Sequence, residues 1–224
     1  MGSWSTLPNK REGTIMNKIN FIPEEVDKST ENILNSIYNA SDRYYHTVTH
    51  INDMLNRLTN LSLIDEGLQD KIDFKLLRIA IIFHDIIQFE DNNELRSAEV
   101  TKKLIGDIYD ADQINNIYNW IIRTDYSYYY EPEDLEGKLI RDLDLSGLGA
   151  SEEVYRHNGY LVRQEYQGSN NRDFIVGRIQ FLQKMLDFPK IYQTDYYKDL
   201  EFQARLNTET ELERLLEQYK CLIV

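Results

Sequence analysis

Residues 76–83 form the feature that most constrains the fold of this chain. Apolar side chains fill almost the whole run, from Leu76 and Leu77 to Ile82 and Phe83, so a helix here has hardly any polar side. Such a helix is typical of the buried centre of a fold.

The rest of the chain, from Ile22 onward, repeats apolar residues at helical spacing. The pattern predicts further helices, which lie near residues 23–40, 47–60, 70–88, 93–106, 110–124, 133–144, 151–167, 172–187 and 196–219. The alternating pattern of strands is missing, and the short Tyr126–Tyr130 cluster does not replace it. We therefore predict an all-α fold, a single bundle of about eight or nine helices.

Length and terminal composition predict one folded domain. A chain of 224 residues suits a single domain. Residues 1–15 are polar and aperiodic, so we expect a flexible leader, with the domain over 16–220 and an apolar tail over 221–224. Cys221 is the only cysteine, which favours a reducing compartment, and we predict a cytoplasmic protein. The last four residues have the form of a prenylation site; we expect the tail to pack on the domain, and membrane association only if Cys221 is prenylated.

The net charge of −13 restricts the partners. Bulk binding to nucleic acid needs a concentrated basic surface, so we do not expect it here. A small phosphorylated molecule stays possible, because a metal and a few arginines can make one cleft locally positive. The composition says nothing about oligomeric state.

Histidines and acids occur at spacings that suit a metal site. His46 and His50 are four residues apart, and the adjacent His84 and Asp85 follow the buried apolar run. A buried carboxylate is costly unless it is paired or bound to a metal. A further carboxylate comes from Asp142 or Asp144, which point to different faces of a helix. Two imidazoles and two carboxylates suit one divalent ion, and the set does not distinguish Mn, Mg, Co, Ni, Fe and Zn.

These motifs resemble the HD-domain phosphohydrolase superfamily, and more closely its group of predicted metal-dependent HD phosphohydrolases. The similar segments cover about residues 40–210; they are RYYHTVTHI at 43–51, FHD at 83–85, NELRSA at 93–98, DLDLSGLG at 142–149, VRQEY at 162–166, GR at 177–178 and EFQARLN at 201–207. The resemblance implies an HD-like helical bundle and a metal held by His50, His84, Asp85 and Asp144, with Asp142 as second choice.

A distant similarity to cyclic-nucleotide phosphodiesterases implies that His46 is the proton donor to the leaving group. Relatives often carry a further histidine after the position of Thr124, where this chain has Asp125, so we expect a single tightly held ion. The implied reaction is hydrolysis of a small phosphate ester, preferably a nucleotide, by a metal-activated water that Asp85 orients.

Other polar residues in these motifs complete the expected site. We assign Glu94 and Arg96 to catalysis. Substrate binding is assigned to four residues: Asn93, Arg163, Arg178 and Arg205. Each arginine has an alternative role in an ion pair with a nearby acid such as Glu94, Glu165 or Glu201. Two alternatives to a phosphohydrolase also remain, namely a catalytically silent HD-fold binding or regulatory module and, with less support, an iron-dependent HD-like oxygenase.

Overall fold

The computed structural model describes residues 17–222, and over that range the protein is all-helical, as predicted. The nine α-helices of the described range are α1 (Lys28–Tyr38), α2 (Val48–Ile64), α3 (Phe74–Phe83), α4 (Asn93–Ile105), α5 (Ala111–Ile122), α6 (Leu135–Asp144), α7 (Glu152–Glu165), α8 (Asn171–Asp187) and α9 (Glu201–Leu222). Short 3-10 segments lie at Glu66–Asp70, Leu145–Gly149 and Lys198–Leu200. None of the described helices is long and apolar enough to cross a membrane.

Polar capping residues set most of the helix starts. Seven helices begin after a side chain that accepts a hydrogen bond from a backbone N–H in the first turn, which satisfies one donor that the helix leaves free. These caps are Asp27, Thr47, Asp73, Asp110, Asp134, Ser151 and Asn170.

Several helix boundaries differ from the predicted ones: α2 continues to Ile64, α3 ends at Phe83 and not near 88, and α9 begins only at Glu201, after a 3-10 segment. The first helix begins at Lys28 and not near Pro23, because residues 23–26 form a turn and Asp27 provides the cap. Helix α3 begins after the cap at Asp73, later than predicted. Helix α9 continues to Leu222, and both Cys221 and Leu222 are exposed, so the described part of the predicted tail does not pack on the domain, contrary to expectation. The predicted leader and the last two residues of the predicted tail lie outside the described residues.

Helix α3 occupies the centre of the core, as its sequence predicts. Residues 79–83 are fully buried, and the helix packs against α2, α4, α5 and α6. Tyr38 at the end of α1 donates a hydrogen bond to the carbonyl of Ile82 (2.7 Å). Helices α8 and α9 form a hairpin with a smaller apolar cluster of its own, around Ile175, Leu182 and Leu215. The carboxyl end of α3 leads to Asp85, which lines a cavity together with residues of α7 and α8.

Candidate functional site

The site begins where α3 ends, at His84 and Asp85. The guanidinium of Arg43 donates hydrogen bonds to the carbonyls of Asp85 (2.7 Å), Ile86 (3.1 Å) and His46 (3.2 Å). The carbonyls of Asp85 and Ile86 lie in the turn that follows α3, and a cation near the carboxyl end of a helix is favourable because that end of the helix dipole is negative. Arg43 thus joins the end of α3 to the segment before α2.

The imidazole of His84 has a defined orientation. Its Nδ1 lies 2.8 Å from the carbonyl of Ile81, which can only accept a hydrogen bond, so Nδ1 carries a proton. In the neutral ring, Nε2 is then unprotonated and has a lone pair available to a ligand. This atom is buried and faces the carboxylates of Asp85 and Asp144.

The structure brings together the four side chains that the sequence singles out as metal ligands. His84 Nε2 lies 3.0 Å from Asp85 Oδ2 and 3.6 Å from Asp144 Oδ1. His50 Nε2 lies 3.2 Å from Asp144 Oδ1 and 3.7 Å from Asp85 Oδ2. The ligand atoms of His50, His84 and Asp85 all fall within 4.8 Å of one another. Three different helices or helix ends contribute to this cluster.

The cluster is chemically suited to a divalent ion. His50 Nε2, His84 Nε2 and Asp85 Oδ2 are buried and have no aligned hydrogen-bond partner within the described chain. An unpaired polar atom in the interior is costly, and a central cation would satisfy all three. Metal–ligand bonds of about 2.1 Å place neighbouring ligand atoms about 3.0 to 3.4 Å apart. The four nitrogen–oxygen separations between the two imidazoles and the two carboxylates, 3.0 to 3.7 Å, are close to that range.

Each carboxylate presents one oxygen to the cluster and has the other oxygen held from outside. Gln88 Nε2 donates to Asp85 Oδ1 (2.6 Å). The hydroxyl of Tyr126 donates to Asp144 Oδ2 (2.8 Å). Outer partners of this kind fix the orientation of ligands in metal sites. Tyr126 thus contacts the candidate site through its hydroxyl, in addition to belonging to the Tyr126–Tyr130 cluster.

Asp142, the second choice for the last ligand, has a different role. Its side chain is buried and accepts hydrogen bonds from the backbone of Gln193 (2.7 Å) and from the backbone and hydroxyl of Thr194 (2.8 and 2.6 Å). These bonds anchor the segment between α8 and α9. Asp144 is the member of the pair that lies beside His50 and His84.

His46 lies beside the cluster but does not share a helix face with His50. Helix α2 begins only at Val48, so His46 belongs to the turn before it. The ring centroids of His46 and His50 lie 5.8 Å apart, and the two ring planes are nearly perpendicular. His46 Nδ1 bonds to Glu165 Oε2 (2.7 Å), which leaves Nε2 for another partner.

Glu165, at the end of α7, is fixed by an unusual number of donors. Its Oε1 accepts hydrogen bonds from the backbone N–H groups of Tyr44, Tyr45 and His46, each 2.8 Å long, and its side chain is fully buried. Burial raises the pKa of a carboxyl, but here the contacts with His46 and these N–H groups lower the pKa of Glu165 overall. A charged Glu165 therefore holds His46 rigidly.

Charges in the site also shift the histidine pKa values. Burial lowers the pKa of His46, but the carboxylates of Asp85 and Glu165 outweigh that effect and raise it above the usual value. Burial likewise opposes protonation of His84, and the carboxylates of Asp85 and Asp144 raise its pKa well above the usual value. The region is thus strongly anionic and attracts positive charge, whether protons or a cation.

A cavity of about 590 Å³ opens onto these residues, a size common for small-molecule sites. Asn93 and Glu94 at the start of α4 line it, as do His46, Asp85 and Asp144. Burial, together with the charges of nearby acids, raises the pKa of Glu94. The structure therefore brings the two predicted polar residues of α4 to the same cavity as the cluster.

The four predicted arginines are all engaged with other groups. Arg178 lines the cavity but makes a two-pronged ion pair with Glu211 (2.9 and 3.2 Å). Arg205 contacts Glu201 and the carbonyls at the end of α8, away from the cavity-lining residues. Arg96 pairs with Glu90.

Arg163 donates a hydrogen bond to the carbonyl of Tyr166 (2.8 Å) and stacks on the ring of Phe174. It is therefore fixed at the junction of α7 and α8. Arg96, Arg178 and Arg205 thus form ion pairs, which is the alternative role predicted for them. Only Arg205 pairs with one of the predicted acids, Glu201.

Three functional residues of the site were not identified from the sequence. The sequence suggests Glu165 only as a partner for an arginine, places Tyr126 only in a short tyrosine cluster, and gives no signal for Gln88. The pair His46–Glu165 spans 119 residues, and no local pattern indicates such a contact. Tyr126 follows Thr124 and Asp125 in a segment without helical periodicity, so the sequence does not predict where its side chain points.

Comparison of the chain with protein-family models, with curated proteins and with solved structures finds no match, so the resemblance to HD-domain phosphohydrolases stays a prediction from sequence motifs.

Proposed function

We propose that this protein is a metal-dependent phosphohydrolase that acts on a small phosphate ester, with one divalent ion held by His50, His84, Asp85 and Asp144. The observation that carries the proposal is the convergence of these side chains, with three of their polar atoms buried and unpaired. A histidine beside the cluster, backed by a carboxylate, adds the proton donor that ester hydrolysis needs.

When bound, a divalent ion supplies a polarised phosphoryl oxygen and a water of lowered pKa. The residues of the chain then divide the remaining work. Gln88 and Tyr126 each hold one oxygen of a ligand carboxylate, so that the other oxygen faces the cluster. Glu94, whose pKa is raised by burial, lines the cavity and is assigned to orienting the attacking water.

His46 is the proton donor in this proposal. Glu165 holds Nδ1, so the proton on Nε2 is the one available to the cavity. The raised pKa of His46 keeps its ring protonated over a wider pH range. Transfer of that proton to the leaving oxygen prevents the release of an unstable alkoxide and restores a neutral imidazole.

Phosphate binding depends on few cations of the chain. Arg178 is the only one of the four predicted arginines that lines the cavity, and Glu211 neutralises it. The charge of the substrate phosphate is therefore met mainly by the bound ion and by protonated His46. This arrangement suits a single phosphoryl group more than a chain of them.

The test is metal content and hydrolysis measured on the same purified protein. After removal of metals with a chelator, we expect p-nitrophenyl phosphate turnover to return with one or more of Mn²⁺, Co²⁺, Ni²⁺, Mg²⁺, Fe²⁺ and Zn²⁺. His84→Ala and Asp85→Ala should lose both bound metal and turnover while their far-ultraviolet circular dichroism stays helical.

His157→Ala is the matched control, because His157 is an exposed histidine of α7. It should keep both properties. Full turnover in the His84→Ala and Asp85→Ala variants would refute the mechanism. Wild-type protein that binds none of the six metals and hydrolyses no ester would instead support a silent binding module.

A further inference from the structure

The cavity extends beyond the candidate metal cluster into an arm between α7 and α8. Here the term arm means the part lined by Asn158, Gly159 and Val162 of α7 and by Phe174, Gly177 and Phe181 of α8. The same cavity joins the cluster to this arm, so the arm offers space for the rest of an ester whose phosphate lies at the cluster. The lining of the arm should then decide which alcohols fit.

Two glycines inside helices make the arm wide. Gly159 and Gly177 lie within α7 and α8, where a glycine costs about 1 kcal/mol of stability relative to alanine. A Cβ atom added at Gly177 would meet no atom within 4 Å, and one at Gly159 would meet only the carboxylate of Glu211, at 4.0 Å. Neither glycine is required by close packing, so their effect is to leave space between the two helices.

The charged residues along the cavity make it unfavourable for anions. The carboxylates of Asp85 and Asp144 would be offset by the ion. Three more carboxylates then remain in the lining, those of Glu94, Asp125 and Asp173. The basic residues of the lining are Lys184, Arg178 and His46. Glu211 already matches the charge of Arg178, and Glu165 that of protonated His46. A negative group in the arm would therefore meet a net negative field.

Aromatic rings line the outer part of the arm. Tyr166 and Phe174 both border the cavity, with ring centroids 5.7 Å apart, and Phe89 packs edge-on against Tyr166. The faces of such rings attract cations and stack with neutral planar groups. The rings and the acids thus both favour an alcohol that is cationic or neutral over one that is anionic.

We propose that the arm holds the alcohol part of the substrate and selects phosphomonoesters whose alcohol carries no negative charge. This inference rests on the proposed function. Esters of amino alcohols and neutral alcohols, including nucleoside monophosphates, belong to the favoured class. Nucleoside diphosphates and triphosphates, and phosphorylated carboxylic acids, are disfavoured.

The test compares three esters that have the same two-carbon length: O-phosphoethanolamine, 2-hydroxyethyl phosphate and phosphoglycolate. We expect kcat/KM for phosphoglycolate to be at least about tenfold below that for phosphoethanolamine, with a smaller ratio at high salt, because salt screens charges. Asp173→Asn should reduce the ratio. Asp112→Asn, which changes an exposed first-turn acid of α5 outside the cavity, should not.

A second pair of variants tests the space in the arm. Gly177→Leu should lower kcat/KM for adenosine monophosphate by about tenfold or more relative to 2-hydroxyethyl phosphate. Gln183→Leu, at an exposed position of α8 outside the cavity, adds the same side chain and should leave that ratio unchanged. Circular dichroism of both variants checks that α8 still folds.

Binding gives a readout that does not depend on turnover. Dissociation constants for the three two-carbon esters, measured by titration calorimetry on the His46→Ala variant, should follow the same order. Equal kcat/KM and equal binding of phosphoglycolate and phosphoethanolamine overturn the selectivity of the arm and leave the proposed function intact. Failure to hydrolyse any ester overturns the proposed function, and the assignment of the arm with it.

Discussion

The contact between Glu165 and His46 leads to the sharpest prediction, for the variant Glu165→Gln. The glutamine keeps the shape of the side chain but has a single acceptor oxygen. Three backbone N–H groups compete for that oxygen, so the amide NH2 group is left to face His46 Nδ1. The protonated ring then loses its anionic partner, and its pKa should fall.

The magnitude follows from the bond that is lost. A hydrogen bond to a charged group contributes about 1.5 to 3 kcal/mol, which corresponds to a rate factor of about 10 to 100 if the bond is needed in the transition state. We therefore expect kcat for an alkyl phosphate to fall by about that factor. Bound metal should stay at the wild-type level, because Glu165 contacts none of the four candidate metal ligands.

The assay separates positioning of the proton donor from general damage to the fold. Hydrolysis of p-nitrophenyl phosphate depends little on protonation of its stable leaving group, so Glu165→Gln should affect it much less than an alkyl phosphate. The alkaline limb of the kcat profile for the alkyl ester should also move to lower pH. Glu153→Gln, an exposed acid in the first turn of the same helix, serves as the control. Equal losses on both esters, with metal retained and the pH profile unmoved, would refute the assignment of His46 as donor.

Three further predictions follow from other contacts. Glu211→Gln should lower stability at pH 7 by about 3 kcal/mol, since it removes one partner of a largely buried ion pair. Burial opposes ionisation of Glu211, but the arginine outweighs this and lowers its pKa in the folded state, so the difference in urea midpoint should shrink as pH falls below about 4.3. Gly137→Ala should lower the melting temperature through a loss of about 1 to 3 kcal/mol, because its Cβ would come within 2.8 Å of a proline Cβ. Asp142→Asn should lower stability yet retain metal, whereas Asp144→Asn should lose metal; metal analysis that gives the reverse would exchange their roles.

The helices were predictable because their signals are local. Apolar spacing identified each of them, and the central position of α3 followed from a run with almost no polar side. The errors lie at the ends, where one capping side chain decides the boundary. Asp27, for example, starts α1 several residues after the Pro23 signal, because its carboxylate accepts the N–H of Thr30.

The candidate site was predictable only in part. His84 and Asp85 could be found because they directly follow the buried helix, and Asp144 because acids interrupt an apolar stretch. The choice between Asp144 and Asp142 needed the structure, since it depends on which side of α6 meets the segment after α8. Contacts between residues far apart in sequence, such as those of Glu165 with His46, produce no periodic pattern from which they could be predicted.

The way in which α7 is attached has a consequence for how the protein responds to heat. Of the 14 residues of α7, Tyr155 alone is buried among core side chains, and the glycine within the helix weakens it further. Segments with few buried contacts open locally at a lower free energy than the core does. Such an opening would release His46 from Glu165, while His50 and Asp144 stay on α2 and α6 and the His84–Asp85 pair stays at the end of α3. Proton donation and ion retention would then fail at different temperatures, and the protein would pass through an inactive, still folded and metal-loaded state on warming.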